Sequence, residues 1–221
     1  MRVNECCTAW AVLYDALSLG FAYPDPEIYR SLQNGGYIRL LEENISRLPH
    51  SEALRATVDV LAAGVSEITP SRSRTDLETE YLALFELNPD RPPCHLYAHL
   101  HREDAGDPPA LYQRLRQMFA AYGVDLTQRE GVEQPDHLTV ELEFLAYLYQ
   151  RLSTSGATQS AVERNHWIGG IREFLPELEW IGRAAAQLRE TGPHAFYGPL
   201  LDLADGLVAH SGAHLPEVSA R

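Results

Sequence analysis

The sequence predicts an all-α protein, folded as a single domain over residues 1–221 and built as a bundle of roughly ten helices. Apolar residues recur at spacings of three and four almost throughout the chain, and no segment shows the alternation of a half-buried strand. The connectors between these periodic segments are short, and the 221 residues, 45% hydrophobic and 22% charged, have the composition of an ordinary globular domain.

The first predicted helix has one apolar face, formed by Cys6, Trp10, Leu13, Tyr14, Leu17 and Phe21. Tyr23 and Pro24 end this helix, and Asp25 followed by Pro26 begins the next, because the missing N–H of proline is harmless in a first turn. Two further apolar stripes follow, Ile38 with Leu41 and Ile45, and then Leu54, Val58, Leu61, Val65 and Ile68.

After a polar connector at 69–75, Thr75 and Glu78 are predicted to form a capping box. The helix that follows has an apolar face of Leu77, Tyr81, Leu84 and Phe85. Three prolines in 86–93 predict a loop, and 104–109 is a second break. The next stripe, Leu111, Leu115, Met118, Phe119 and Tyr122, is predicted to end at Gly123.

The segment 135–152 is the most apolar helix and carries apolar residues on two faces, which predicts a central position in the bundle. Asp136 precedes this helix and is expected to cap its N-terminus, a role that does not exclude a functional one. After a polar stretch at 153–160, three stripes follow: Val162, Ile168, Ile171 and Leu175; Leu178, Ile181, Ala185 and Leu188; Tyr197, Leu201, Ala204 and Val208.

Charge and cysteine content limit the possible functions. The chain has 31 acidic and 18 basic residues, a net charge of −13, so it lacks the basic surface that nucleic-acid binding needs. The three cysteines, two of them adjacent, do not form a disulfide framework and fit a reducing compartment. The N-terminus lacks the order of a signal peptide and no apolar run is long enough to cross a membrane, so we expect a cytoplasmic protein.

The strongest argument for an enzyme or a metal site is a histidine cluster. His95, His99 and His101 lie within seven residues, and on a helix His95 and His99 would share one face and could bind one metal ion. The cluster contains no carboxylate, so buried histidines are the simpler interpretation. His137 and Glu141 could pair across one helical turn. We therefore expect no catalytic residue, metal or cofactor.

Four blocks in order carry a family pattern: Leu13-Tyr14 to Pro24, the EYLALF block at 80–85, the PPCHLY block at 92–97 and the PDHLTVELEFL block at 135–145, joined by the late Phe196-Tyr197. They resemble the TorD/DmsD/NarJ family of redox-enzyme maturation chaperones. The PPCHLY block looks most like the branch that serves type II molybdoenzymes of the dimethyl sulfoxide reductase family, with the nitrate reductase delta-subunit branch close behind.

The resemblance implies a TorD-like helical chaperone, a monomer or dimer without catalytic turnover. Such a protein binds the catalytic subunit of a molybdenum oxidoreductase, as signal peptide and apoenzyme, until the molybdopterin cofactor is inserted. The residues that it implicates in peptide binding are Asp136, His137, Leu84 and Phe85, with Pro93, Leu96 and Tyr97 nearby; Glu141 and Glu133 add charge at the same helix start. The alternatives are a nitrate reductase delta-type assembly factor, a subunit retained in the mature complex, and the histidine-based metal enzyme.

Overall fold

The regular structure of the chain is helical, which confirms the predicted fold class. The computed structural model describes residues 3–68, 73–87, 93–102, 107–126, 134–154 and 161–215. Within these ranges the extended backbone forms a single isolated bridge, in which Tyr97 pairs antiparallel with His137. Parts of the predicted connectors, and Glu133, lie outside the described residues.

Ten α-helices are found in these ranges. The first five are α1 (Val3–Phe21), α2 (Pro26–Gln33), α3 (Gly36–Ile45), α4 (Glu52–Ile68) and α5 (Arg74–Phe85). The second five are α6 (Pro108–Ala121), α7 (Leu138–Thr154), α8 (Ala161–Phe174), α9 (Ile181–Glu190) and α10 (Tyr197–His214). Two short 3-10 turns, Ala98–Leu100 and Leu175–Leu178, lie between them.

Local capping chemistry sets several of these boundaries. The predicted start of α2 at Asp25-Pro26 is confirmed, and Asp25 caps the helix, because its Oδ1 accepts the backbone N–H groups of Glu27 and Ile28, each at 2.8 Å. Gly123 follows the end of α6 with a φ of +82°, a conformation that favours glycine. The capping box predicted at Thr75 and Glu78 is wrong, since Ser73 and Asp76 form it two residues earlier.

The prediction that the most apolar helix is central is confirmed. The helix α7 is buried on most of its surface and packs between α1 and α8. Its Tyr149 stacks on Trp10 and Tyr14 of α1, with ring centroids 5.6 and 5.8 Å apart. The hydroxyl of Tyr149 also bonds to Ser211 of α10, which ties three helices into one core.

The later apolar stripes are buried as predicted, with one exception. Val162, at the start of the predicted α8 stripe, is 58% exposed, and the buried face of α8 begins at Trp167. The two last stripes pack α9 against α10. The spacing of apolar residues therefore predicted the buried faces correctly, but it did not predict the turn at which the buried face of α8 begins.

No single helix in the described ranges combines the length and apolar composition of a membrane span. The segments Glu5–Phe21 and Pro26–Gln33 reach the required length and mean hydropathy only when taken together, and the chain bends by 111° between them.

A close backbone approach between α4 and residue 195 is testable with a pair of glycines. A Cβ added at Gly64 in α4 would lie 1.9 Å from the carbonyl oxygen of Ala195, so the backbone would have to move. We expect Gly64→Ala to lower the free energy of unfolding by about 1–3 kcal/mol, as other overpacked sites do. Urea denaturation measures this change.

Gly169 in α8 is the matched control, because a Cβ there meets nothing within 4 Å apart from its chain neighbours and the backbone of its own helix. Alanine is the better helix former, so Gly169→Ala is expected to raise the free energy of unfolding by about 0.5–1 kcal/mol. Equal changes in the free energy of unfolding at the two positions would contradict the close packing of α4 on the backbone of Ala195.

Candidate functional site

The residues singled out in the sequence meet where residues 93–102, which we call the strap, cross the start of α7. The strap is fixed by backbone hydrogen bonds at its start and in its middle. The N–H of Cys94 donates to the carbonyl of Leu84 at the end of α5, at 3.1 Å. Further along, the N–H of Ala98 donates to the carbonyl of Asp136 at 2.9 Å, and the N–H of Leu138 to the carbonyl of Leu96 at 2.8 Å.

Asp136 is fully buried and binds the strap. Its Oδ2 accepts the backbone N–H of His99 at 3.1 Å and lies 2.6 Å from the ring Nδ1 of the same residue. Oδ1 of Asp136 is equally buried and has no hydrogen-bond partner among the described residues.

The expected cap of α7 by Asp136 is therefore wrong, because its side chain turns to the strap instead of the helix. His137 takes that role. Its Nδ1 accepts the N–H of Thr139 at 3.3 Å and lies 2.7 Å from the hydroxyl of Thr139. The sequence indicated the correct position for a cap to within one residue but assigned the wrong side chain.

Glu141 is the second buried carboxylate. Its Oε2 accepts the indole N–H of Trp180 at 2.8 Å, while Oε1 finds no partner within the described part of the chain. Burial raises the pKa of Glu141 well above its ordinary value; the Trp180 bond opposes that rise and the charge of Asp136 adds to it. The side chain thus has a strong tendency to be neutral, which reduces the cost of its burial.

The three strap histidines serve different neighbours. The ring of His99 pairs with Asp136, whereas His101 stacks on Trp180 at 5.2 Å and its Nε2 bonds to the carbonyl of His95 at 2.8 Å. The segment forms a three-residue 3-10 turn, so the helical spacing that would align His95 with His99 does not apply. Across the described ranges, no three His, Cys, Asp or Glu side chains are arranged to hold a metal ion.

An ion-pair cluster that sequence reasoning missed holds the other end of the strap. Arg102 pairs with Glu177, and Arg114 of α6 reaches the same carboxylate oxygen at 2.8 Å. The partners are 75 and 63 residues apart, so no local pattern could have paired them.

The remaining predicted site residues fall into two groups, one buried in the core and one partly exposed to solvent. Leu84, Phe85 and Leu96 are buried, and Phe85 packs edge-on against Tyr81 and Tyr197. Pro93 and Tyr97 are half-buried. The Tyr97 ring lies 4.8 Å from that of His137 and 5.9 Å from that of His99.

A polar edge thus reaches solvent above Asp136. The His99 side chain is 20% exposed, and its ring centroid lies 5.9 Å from that of Tyr97 and 5.9 Å from that of Tyr112. Leu100 beside it is about half exposed. Chemically, this edge brings the rings of Tyr97 and Tyr112 close to His99 and its carboxylate partner, which has one buried oxygen without a partner in the described ranges; aromatic rings and a carboxylate are groups that bind a guanidinium.

Comparison with known proteins gives one family and several relatives. Residues 49–186 match the family model described as the nitrate reductase delta subunit. The perchlorate reductase assembly chaperone protein of Dechloromonas aromatica (strain RCB) is 28% identical over 213 residues, 93% of this chain and 88% of that protein. The chlorate reductase assembly chaperone protein of Ideonella dechloratans is 29% identical over 196 residues, 87% of this chain and 84% of that protein.

A third relative is the selenate reductase assembly chaperone protein of Thauera selenatis. It is 30% identical over 155 residues, which are 68% of this chain and 78% of that protein. The three relatives span both the strap and the start of α7, since each match covers more than two thirds of the chain.

The pKa of Glu141 makes the stability of the site depend on pH. A carboxyl whose folded pKa is raised contributes stability below its unfolded pKa and loses it as the pH rises through the folded pKa. Glu141→Gln removes this loss. As the pH rises above the ordinary pKa of a glutamate, we expect the free energy of unfolding of the variant to increase relative to that of the natural chain, measured by urea denaturation at each pH.

Glu190→Gln, at an exposed position of α9, is the control for the change of net charge. The difference in free energy of unfolding between Glu190→Gln and the natural chain should not change comparably with pH. Parallel pH curves for Glu141→Gln and the natural chain would contradict a buried carboxyl with a raised pKa.

Proposed function

This chain belongs to the nitrate reductase delta subunit family, and we propose that it is a cytoplasmic assembly chaperone for the catalytic subunit of a molybdenum oxidoreductase of the dimethyl sulfoxide reductase family. The observation that carries the proposal is the match to three curated relatives, all named as reductase assembly chaperones, over 68–93% of the chain. The names of these relatives describe helpers of assembly and no catalytic activity.

We further propose that the polar edge above Asp136 binds an arginine of the client's twin-arginine signal peptide. Asp136 has one buried oxygen without a partner in the described ranges, and its other oxygen is held by a partly exposed histidine. A guanidinium that replaced the His99 ring could bond both oxygens at once. Such charge-assisted hydrogen bonds contribute about 1.5–3 kcal/mol, against about 0–1 kcal/mol for an exposed ion pair.

The aromatic neighbours favour the same exchange. Tyr97 and Tyr112 flank His99, and a guanidinium between them would gain about 0.5–2 kcal/mol from cation–π contact. Because His99 contributes both ring and backbone N–H to Asp136, its replacement loosens the middle of the strap. The buried side chains of Leu84 and Phe85, and of Leu96 in the strap itself, then become available to apolar parts of the client.

A second candidate function is a delta-type assembly factor for a nitrate reductase, which the description of the family model favours. A third is a subunit that stays in the mature complex. These alternatives differ in the identity of the bound enzyme and in whether its cofactor is present while this chain is attached.

The chaperone role predicts the metal content of the client. In a host strain that lacks this chain, we expect the client reductase to lose most of its molybdenum, because cofactor insertion depends on the held apoenzyme. Mass spectrometry of the enzyme that copurifies with the tagged chain identifies the client, and inductively coupled plasma analysis of that enzyme from the deletion strain measures its molybdenum.

Restoring the full chain should restore the metal. Full molybdenum content in the deletion strain would contradict the proposal. Recovery of this chain at equal amount in the mature, cofactor-loaded enzyme would favour the retained subunit instead.

The peptide site predicts a selective effect of Asp136→Asn. The amide keeps the size and an acceptor for the His99 N–H but lacks the charge, so a peptide with two arginines should bind about ten- to a hundredfold more weakly. Fluorescence anisotropy with a labelled synthetic peptide measures binding, and urea denaturation checks stability.

Asp59→Asn, at an exposed position of α4, makes the same charge change away from the strap and should leave affinity unchanged. A peptide with both arginines replaced by glutamine should bind Asp136→Asn and the natural chain equally. If Asp136→Asn binds the arginine peptide as tightly as the natural chain does, the carboxylate is not part of the peptide site.

A further inference from the structure

We propose that a groove between α1, α2 and α3 binds the apolar segment that follows the arginines of the client's signal peptide; this rests on the function proposed above. The groove has a volume of about 210 Å³. Its apolar lining consists of Ala16, Leu19, Ala22, Tyr23, Ile28 and Leu40. A cavity of about 150 Å³ accepts a benzene-sized group, so this one takes one or two apolar side chains.

The floor of the groove is well fixed. The hydroxyl of the buried Tyr37 donates to the carbonyl of Ala16 at 2.8 Å, which joins α3 to α1. A Cβ added at Gly20 would lie 2.4 Å from the same hydroxyl, so there is room for Tyr37 beside α1 only because residue 20 is a glycine. A rigid floor lets the groove exist before a ligand arrives, which lowers the ordering cost of binding.

The walls of the groove are exposed. Leu19, Tyr23 and Leu40 are 53%, 49% and 39% exposed, and they are three of the seven large apolar side chains that are exposed in the described ranges. Single exposed apolar residues are normal, whereas a contiguous group in a groove is typical of a binding surface.

The charge of the groove indicates the occupant. Asp25 and Glu27 stand at its rim, and the lining found within the described residues contains no basic side chain. The chain as a whole carries a net charge of −13. A second copy of this protein would bring the same acidic rim and charge, and an anionic membrane would be repelled, so an apolar segment next to arginines is the complementary partner.

The groove and the Asp136 edge lie at the same end of the bundle. The hydroxyl of Ser18, next to Leu19, donates to the carbonyl of Thr139 in the first turn of α7 at 3.2 Å. On the other side, the ring of Tyr23 contacts Tyr81 of α5 at 5.6 Å, and α5 ends where the strap is attached. One extended peptide can therefore reach both surfaces, with its arginines at Asp136 and its apolar side chains in the groove.

The test uses a fluorescein-labelled synthetic peptide with two arginines followed by about ten leucine and alanine residues, the length of a signal-peptide apolar region. The variant Leu19→Glu places a charge in the groove wall. The added negative charge alone would attract this cationic peptide, so weaker binding has to come from the lost apolar contact. We expect affinity to fall about tenfold for Leu19→Glu, and to fall also for the uncharged Leu40→Ser.

Val162→Glu is the matched control, because Val162 is 58% exposed on α8, outside the groove lining. It should bind the peptide at least as tightly as the natural chain. A second peptide, with serine and glycine in place of the apolar segment, should bind Leu19→Glu no more weakly than the natural chain, while remaining sensitive to Asp136→Asn.

Three results would overturn the groove assignment. The first is an unchanged affinity of Leu19→Glu for the apolar peptide. If Asp136→Asn weakens peptide binding in the same assay, the proposed function is still supported. A dimer that Leu19→Glu dissociates without a change in peptide affinity would make a second copy the occupant. Absence of peptide binding by the natural chain would reject this site, whereas the molybdenum content of the client would still decide the chaperone role.

Discussion

A single buried carboxylate keeps the strap in place over the start of the central helix. Asp136 accepts both the backbone N–H and the ring of His99, and its own carbonyl accepts the N–H of Ala98. Taking an ionised carboxylate out of water costs several kcal/mol, which these bonds offset only while the strap stays down. The position of the strap and the burial of this carboxylate therefore stabilise each other.

The strap in turn completes two helices. The carbonyl of Leu84 at the end of α5 accepts the Cys94 N–H, and the carbonyl of Leu96 accepts the N–H of Leu138, the first residue of α7. Helix ends leave backbone groups without intrahelical partners, and here a distant segment provides them. A displacement of the strap thus uncovers polar helix ends together with apolar side chains, and a bound segment has to replace both kinds of contact.

Local patterns in the sequence were sufficient for most helices and insufficient for the site. Periodicity located α1, α6 and α7, and the Asp25-Pro26 start of α2 follows from capping chemistry that spans three residues. The partner of Asp136 lies 37 residues away and that of Glu141 39 residues away, and helical periodicity does not show which distant segments meet. The wrong cap at Asp136 has this cause: a carboxylate before a helix reads as a cap unless a tertiary donor is known to compete for it.

Separate acidic and apolar surfaces explain how such a protein can be selective without chemistry. A cation alone meets Asp136 already paired with His99, so its gain is limited to the exchange of one partner for another. An apolar segment alone gains only the area that a shallow groove can cover. A ligand that carries arginines followed by an apolar segment gains the binding free energy of both surfaces but loses its translational freedom only once. After the first contact has formed, the second forms at a high effective concentration. In the proposed function, selectivity for export tags would follow from the spacing of two weak surfaces, and the net negative charge of −13 would speed the encounter with a cationic tag.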